Sequence, residues 1–188
     1  MKIVLIYPKY PDTFWSFRHA LKFVSKKATD PPLGLLTVAA MLPEKWEKKL
    51  IDMNVMALKD RDLKDADLVF VSGMSIQKAS AEEVIYKCKK LGIKVVAGGP
   101  LFTTQYNLFD NVDYFVLNEA EITLPLFLED FRNGTPKHIY QSNEFADIEN
   151  TPKPLWGLIN KKKYVSLDIQ YSRGCTFNCD FCDVTNLF

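Results

Sequence analysis

Apolar residues fall in short runs separated by longer, helix-patterned stretches. Lys2 to Tyr7 reads Lys-Ile-Val-Leu-Ile-Tyr, an unbroken apolar run of the kind a strand shows when both its faces are buried. Similar runs recur at Lys49–Asp52, Asp67–Ser72, Ile93–Ala97 and Asp113–Leu117. Between them the pattern shifts to a helical period. Leu33–Met41 reads as a helix entered through Pro31-Pro32 and halted by Pro43, and Asp60–Ala66 as a short polar connection with one helical turn. Ala79–Leu91 is amphipathic and closed by Gly92. Glu119–Phe131 is stopped at Asn133-Gly134, with Pro125 in its first or second turn. Pro8 to Pro32 carries the aromatics Tyr10, Phe14, Trp15, Phe17 and Phe23, and reads either as a long functional loop or as a short helix near Phe14–Ser25.

Strands alternating with helices make βαβ units. The expected fold is therefore α/β, a doubly wound, flavodoxin-like parallel sheet of five strands over residues 1–134. Residues 135–163, polar and holding Pro136, Pro152 and Pro154, read as a linker. A last strand over Tyr164–Gln170 then leads into a distinct C-terminal stretch, 164–188.

Open parallel sheets bind ligands outside the carboxyl ends of their strands, where the strand order switches. The strand ends here are Tyr7-Pro8, Asp52-Met53-Asn54, the run Ser72-Gly73-Met74-Ser75-Ile76-Gln77, Gly98-Gly99-Pro100, and Asn118-Glu119-Ala120-Glu121. The candidate cofactor-binding residues are Asp52, Asn54, Ser72, Gly73, Met74, Ser75, Gln77, Gly98, Gly99, Pro100, Asn118 and Glu119. Paired glycines let a bulky ligand approach backbone, although a tight turn would use them equally well. No Gly-x-Gly-x-x-Gly follows the first strand and no Gly-x4-Gly-Lys-Ser/Thr occurs, which argues against dinucleotides and nucleoside triphosphates. Pro8 and Lys9 stand where a phosphoacceptor domain would place its acidic cluster. A flavin stays open.

Composition adds exclusions. Hydrophobic residues make up 47% and aromatics 13% of the 188 residues, enough for a full core, and the formal charge is +1. Such a balance supplies no general field for nucleic acid or an anionic membrane, and Lys161, Lys162 and Lys163 read as a solvated turn. The first apolar run is too short for a signal peptide or a membrane span, and Pro8 ends it. With clustered thiols and no export signal, the expected compartment is the cytoplasm. Cys88, on the inner side of the Ala79–Leu91 helix, reads as an inert core thiol.

The strongest chemical signal is Ser172-Arg-Gly-Cys175-Thr-Phe-Asn-Cys179-Asp-Phe-Cys182, which places three of the four cysteines within eight residues. Gly174, Asn178 and Asp180 suit a looping backbone. Three sulfurs from one short loop fit a four-iron, four-sulfur (4Fe-4S) cluster with one iron left open for a small molecule, since electron-transfer clusters use four. A zinc loop with a distant fourth ligand (Cys88, His19 or His138) and a disulfide with a spare thiol are the competing readings.

Cys175, Cys179 and Cys182, with Phe181 before the last, resemble the cluster loop of the radical S-adenosylmethionine (SAM) superfamily. That resemblance implies a 4Fe-4S cluster whose open iron is chelated by SAM and whose electron releases a deoxyadenosyl radical. Together with Asp52, Ser72, Gly98-Gly99 and the blocks Pro31-Pro32-Leu33-Gly34, Ala97-Gly98-Gly99-Pro100 and Asn118-Glu119-Ala120-Glu121, the whole chain is similar to the radical SAM enzymes that carry an N-terminal cobalamin-binding domain. The resemblance implies cobalamin on the sheet rim and methyl transfer to an unactivated carbon of a small-molecule substrate, a hydrophobic one included. An electron donor such as flavodoxin or ferredoxin is implied as partner. The Asp-x-His pair that gives cobalt a lower ligand in the wider fold reads Asp52-Met53-Asn54 here, so the expected cobalt is five-coordinate or water-ligated. The family's SAM barrel needs well over a hundred residues beyond the loop, and only its first strand is expected here, in an inactive fragment. A stand-alone cobalamin-binding module and a ligand-free interaction domain are the alternatives.

Overall fold

A computed structural model describes residues 1–13, 16–177, 179 and 182. Phe14, Trp15, Asn178, Asp180 and Phe181, invoked above, lie outside the described residues. The six parallel strands are β1 (Lys2–Tyr7), β2 (Glu47–Asp52), β3 (Leu68–Ser72), β4 (Lys94–Gly98), β5 (Tyr114–Val116) and β6 (Ile139–Tyr140), in the order β2-β1-β3-β4-β5-β6. The first five positions of that order are the flavodoxin-like arrangement, with its switch between β1 and β3.

Alternation explains why the apolar runs are unbroken. Ile3, Leu5, Leu50, Leu68, Phe70, Val96, Tyr114 and Val116 face one layer, and Val4, Ile6, Ile51, Val69, Val71, Val95, Ala97 and Phe115 face the other. Helices α2 (Leu33–Met41) and α6 (Ala120–Asn133) cover the first face through Leu35, Leu36, Ala39, Leu124 and Phe127. Helices α4 (Lys78–Lys90) and α5 (Pro100–Gln105) cover the second through Val84, Ile85, Leu101 and Phe102. Cys88 is buried on that side, and burial pushes its thiol up to about 11. Two short helices complete the set, α1 (Arg18–Leu21) and α3 (Asp60–Leu63).

Four features depart from the sequence reading. The sixth strand lies inside the stretch read as linker, where Phe115↔Ile139 and Val116↔Tyr140 extend the sheet by one parallel pair. Helix α5 follows the two glycines directly, with Pro100 at its first position, where a missing N–H costs nothing. Among the described residues between Pro8 and Pro32 the chain forms α1 and a 3-10 turn at Lys22–Val24; Leu21 is buried, but Phe23 stands in solvent and does not pack on the core. The strand expected over Tyr164–Gln170 does not form. Its backbone meets only the loop at Ala28 and Thr29, where Tyr164 makes one isolated parallel bridge to Ala28. Val165, Leu167 and Ile169 meanwhile find nothing to pack on and stay exposed.

Candidate functional site

The carboxyl ends of β1, β3, β4 and β5 open into a cleft of about 370 Å³ on the α2–α6 side of the sheet. Its floor is strand-end backbone at Ser72, Gly73, Gly98 and Gly99. Its walls are apolar, from Pro31, Pro32, Leu33 and Val38 on one side and Ala120 and Leu124 on the other. Helix α2 is apolar nearly all round because one side packs on the sheet while Leu33 and Val38 line the cleft.

The glycines are required by the protein itself. A Cβ on Gly98 would lie 2.4 Å from the Val116 carbonyl oxygen, and one on Gly99, at φ +82°, 2.3 Å from Ser72 Oγ. β3, β4 and β5 therefore meet at their ends with no space for a methyl, which leaves a smooth floor. Gly34 differs: it lines the cleft, yet a Cβ there meets no protein atom within 4 Å. Packing does not ask for glycine at Gly34, which is exposed at the cleft wall.

Asn118, in the left-handed region at φ 59°, turns the chain sharply between β5 and α6 while its N–H donates to Thr103 Oγ1 at 2.9 Å. The turn directs Glu119 and Glu121 to the cleft, where Arg173 meets both. Its guanidinium lies 3.3 Å from Glu119 Oε1 and hydrogen-bonds Glu121 Oε1. Burial works against the charge of Arg173, and the two carboxylates more than offset it, so its pKa is raised. Burial likewise pushes Glu121 up, but Arg173 and Thr151 outweigh it and hold the carboxyl below the usual range. Glu119 also accepts from the Ala146 N–H, and Glu121 from the Thr151 hydroxyl at 3.0 Å.

Eight of the twelve predicted cofactor residues thus share one cleft: Ser72, Gly73, Met74, Gly98, Gly99, Pro100, Asn118 and Glu119. The other four do not line it. Asp52, 3% exposed, accepts from the backbone and side-chain N–H groups of Asn54, both at 2.8 Å, and from the Tyr164 hydroxyl at 3.0 Å. Asn54 in turn accepts the Tyr10 N–H and donates to the Pro8 carbonyl, and Gln77 also donates to Pro8. These three residues pin the loop after β1. Ser75 sits in the turn leading to α4. Beside Asp52, the hydroxyls of Tyr7 and Tyr10 are 2.6 Å apart, and burial raises the pKa of Asp52 and of both tyrosines.

The sequence reading passed over Arg173 and Gln170, both of which line the cleft. Arg173 had a signal, an arginine two residues before the first clustered cysteine; its Nε–H donates to Gln170 Oε1 at 3.1 Å, but its carboxylate partners lie more than fifty positions away. Residues 164–173 form a strap from the end of β2, where Tyr164 bonds Asp52, to the start of α6, where Arg173 bonds Glu121. Four strand spacings are about 19 Å, well within the reach of nine extended residues. Beyond the strap, Cys175 and Cys179 are exposed, Cys182 is half-buried, and all are free thiols. The Cys182 N–H donates to the Cys179 carbonyl at 3.0 Å, but no three potential metal ligands are gathered among the described residues. Neither histidine lines the cleft; His138 precedes β6 at the opposite sheet edge, with Nδ1 2.9 Å from the Asp113 carbonyl. No helix among the described residues is long and apolar enough to cross a membrane.

An open parallel sheet with one apolar, backbone-floored cleft at its switch edge defines a cofactor-binding α/β module. The chain belongs to the B12-binding domain family, whose family model matches residues 25–128. It is 41% identical over 190 residues to an uncharacterised methyltransferase of Synechocystis sp., with all of this chain and 35% of that protein aligned. It is 30% identical over 192 residues to the hopanoid C-2 methylase of Rhodopseudomonas palustris, covering all of this chain and 36% of that protein. Against the bacteriochlorophyllide d C-8(2)-methyltransferase of Chlorobaculum tepidum the identity is 28% over 162 residues, 82% of this chain and 35% of that protein. The chain spans about a third of the length of these relatives. It is a methyltransferase-related cobalamin module. Such a ligand would meet apolar walls, a floor of strand-end backbone carrying the Ser72 hydroxyl, and open space at Gly34. The cleft, at about 370 Å³, sits near the low end of the usual range for small-molecule sites, about 300–1,000 Å³.

Proposed function

We propose that the chain is the cobalamin-binding part, joined to the start of the radical SAM part, of an enzyme that methylates an unactivated carbon of a small molecule. In this reading residues 1–134 hold cobalamin, 135–163 connect, and 164–188 begin the second domain with Cys175, Cys179 and Cys182 as the three protein ligands of a 4Fe-4S cluster. The observation that carries it is the strap, since Gln170 and Arg173, just ahead of the cysteines, line the cleft that this reading gives to cobalamin. The names of the relatives support methyl transfer and include a hopanoid and a bacteriochlorophyllide, in keeping with a hydrophobic substrate here.

When bound, cobalamin supplies a transferable methyl group, and a cluster with SAM supplies a one-electron start to radical chemistry. The protein's part is positional. Pro32, Leu33, Val38 and Leu124 exclude water from the cleft. Ser72 and the strand-end amides offer hydrogen bonds, and the smooth glycine floor admits a flat ring. Asn54 is engaged by Asp52, Pro8 and Tyr10, so its side chain is committed to holding the loop after β1. An electron donor such as flavodoxin or ferredoxin would feed the cluster.

Anaerobic reconstitution with iron, sulfide and hydroxocobalamin tests both halves. Expected are a corrinoid absorbance shift and a four-iron magnetic signal that Cys179→Ala abolishes. A folded chain that binds no corrinoid overturns the cobalamin half, and a Cys179→Ala protein that keeps the cluster overturns the other. The thiols, two of them exposed and not gathered among the described residues, favour a second reading, a cobalamin-binding module without SAM chemistry. Corrinoid binding with no cluster would establish it.

A further inference from the structure

We propose that Arg173 is a positioning residue that seats the three-cysteine segment on the cleft, so that a ligand in the cleft and the state of those cysteines are coupled. The inference rests on the cobalamin reading above for the identity of the ligand, but not for the anchor. Arginine side chains are ordinarily solvated, whereas that of Arg173 is only 12% exposed, against Glu119 and Glu121 at 4% and 14%. Two carboxylates on one guanidinium make a charge-assisted fork that fixes orientation as well as position.

Apolar packing does not hold this end of the strap. Leu167, Ile169 and Tyr171 are 47%, 89% and 94% exposed, and Phe177 beyond the anchor is 72% exposed. Arg173 is what ties the strap down before Cys175, which lies two residues further and so within about 7 Å along the chain. The carboxylates it grips are not bystanders. Glu119 and Glu121 bracket Ala120 at the start of α6, and all three line the cleft together with Leu124 one turn on. A ligand that shifts the first turn of α6 must therefore move Arg173, and Cys175 with it. Coupling of this kind is reciprocal: whatever holds the cysteines in place also changes affinity at the cleft.

The test uses the full chain in two arms. Without ligand, tryptic cleavage between Arg173 and Gly174 reports release of the anchor. Glu119→Gln with Glu121→Gln is expected to speed that cut at least about tenfold while the thermal transition persists, because cleavage tracks the population of the released form. An unchanged rate overturns the anchor, whether or not any corrinoid binds. With hydroxocobalamin, iodoacetamide labelling of Cys175 is expected to slow at least about fivefold in the native chain. Arg173→Met combined with both Gln substitutions, which leaves no buried charge unpaired, is expected to lose that protection at saturating corrinoid and to bind corrinoid more weakly by a similar factor. Buried Cys88 serves as the internal reference. Bound corrinoid with equal labelling in both proteins overturns the coupling, and failure of the native chain to bind corrinoid overturns the functional reading instead.

Discussion

Gly98 carries more structural constraint than any charged residue at the rim. Its missing Cβ would collide with a backbone oxygen, which cannot rotate away as a side chain does. Gly98→Ala is expected to cost about 1–3 kcal/mol, as overpacking does, measured by urea denaturation. Asp52 makes a second prediction. Burial raises its carboxyl, with the hydrogen bonds from Asn54 and Tyr164 opposing in part. Its ionised form is thus disfavoured in the fold, so the folded protein binds more protons between the unfolded pKa, about 3.9, and the higher folded value. Stability drawn from this group is full below that window and falls as pH rises through it. Asp52→Asn, whose amide can still accept from Asn54 and donate to Tyr164, is expected to remove that component. The difference in unfolding free energy between variant and native chain should grow in the variant's favour as pH rises through the window and then level off. A flat difference would refute it.

At the level of elements, the strand and helix pattern was legible because burial on both sheet faces leaves an unmistakable apolar signature, and the bounds of Lys2–Tyr7 and Leu33–Met41 agree with the structure to the residue. The two-residue strand at Ile139 carries no such signature. It is held by edge pairing and by Tyr140, whose hydroxyl accepts the Lys137 N–H and donates to Asp130. The Tyr164–Gln170 stretch shows the converse: an alternating pattern without a neighbouring strand to pair with. At the cleft, strand-end position was readable from sequence, which is why eight rim residues converge. Asp52, Asn54 and Gln77 share that position but turn to Pro8, Tyr10 and Tyr164, and nothing local in the sequence marks that choice. Gly34 belongs to α2 and tests the cleft from its wall. Gly34→Leu places a side chain where no protein atom stands and should leave the melting temperature unchanged or higher, since glycine costs a helix up to about 1 kcal/mol. The same variant is expected to lose hydroxocobalamin binding by absorbance titration. Undiminished binding would remove the cleft from consideration.

For the whole molecule, the strap is the feature that joins distant parts of the chain, with Tyr164 at one end and Arg173 at the other. Tyr164→Phe removes a hydroxyl from a buried carboxylate and leaves that oxygen unpaired, an expected loss of about 1–3 kcal/mol. Hydrogen exchange should rise at residues 163–166, where the strap pairs with Lys27–Thr29. Exchange that stayed at the native rate would show that the pairing holds without its tyrosine. The contact is invisible in the sequence because its partners are 112 positions apart.

The close meeting of three strand tips beneath Gly98 and Gly99 has a practical corollary for anyone wishing to redesign this receptor. A base with no room for an added carbon is a poor target for directed evolution, and libraries aimed at it would return mostly destabilised clones. The flanks at Leu33, Val38 and Leu124 are the tunable surface, and changes of guest preference should be sought there.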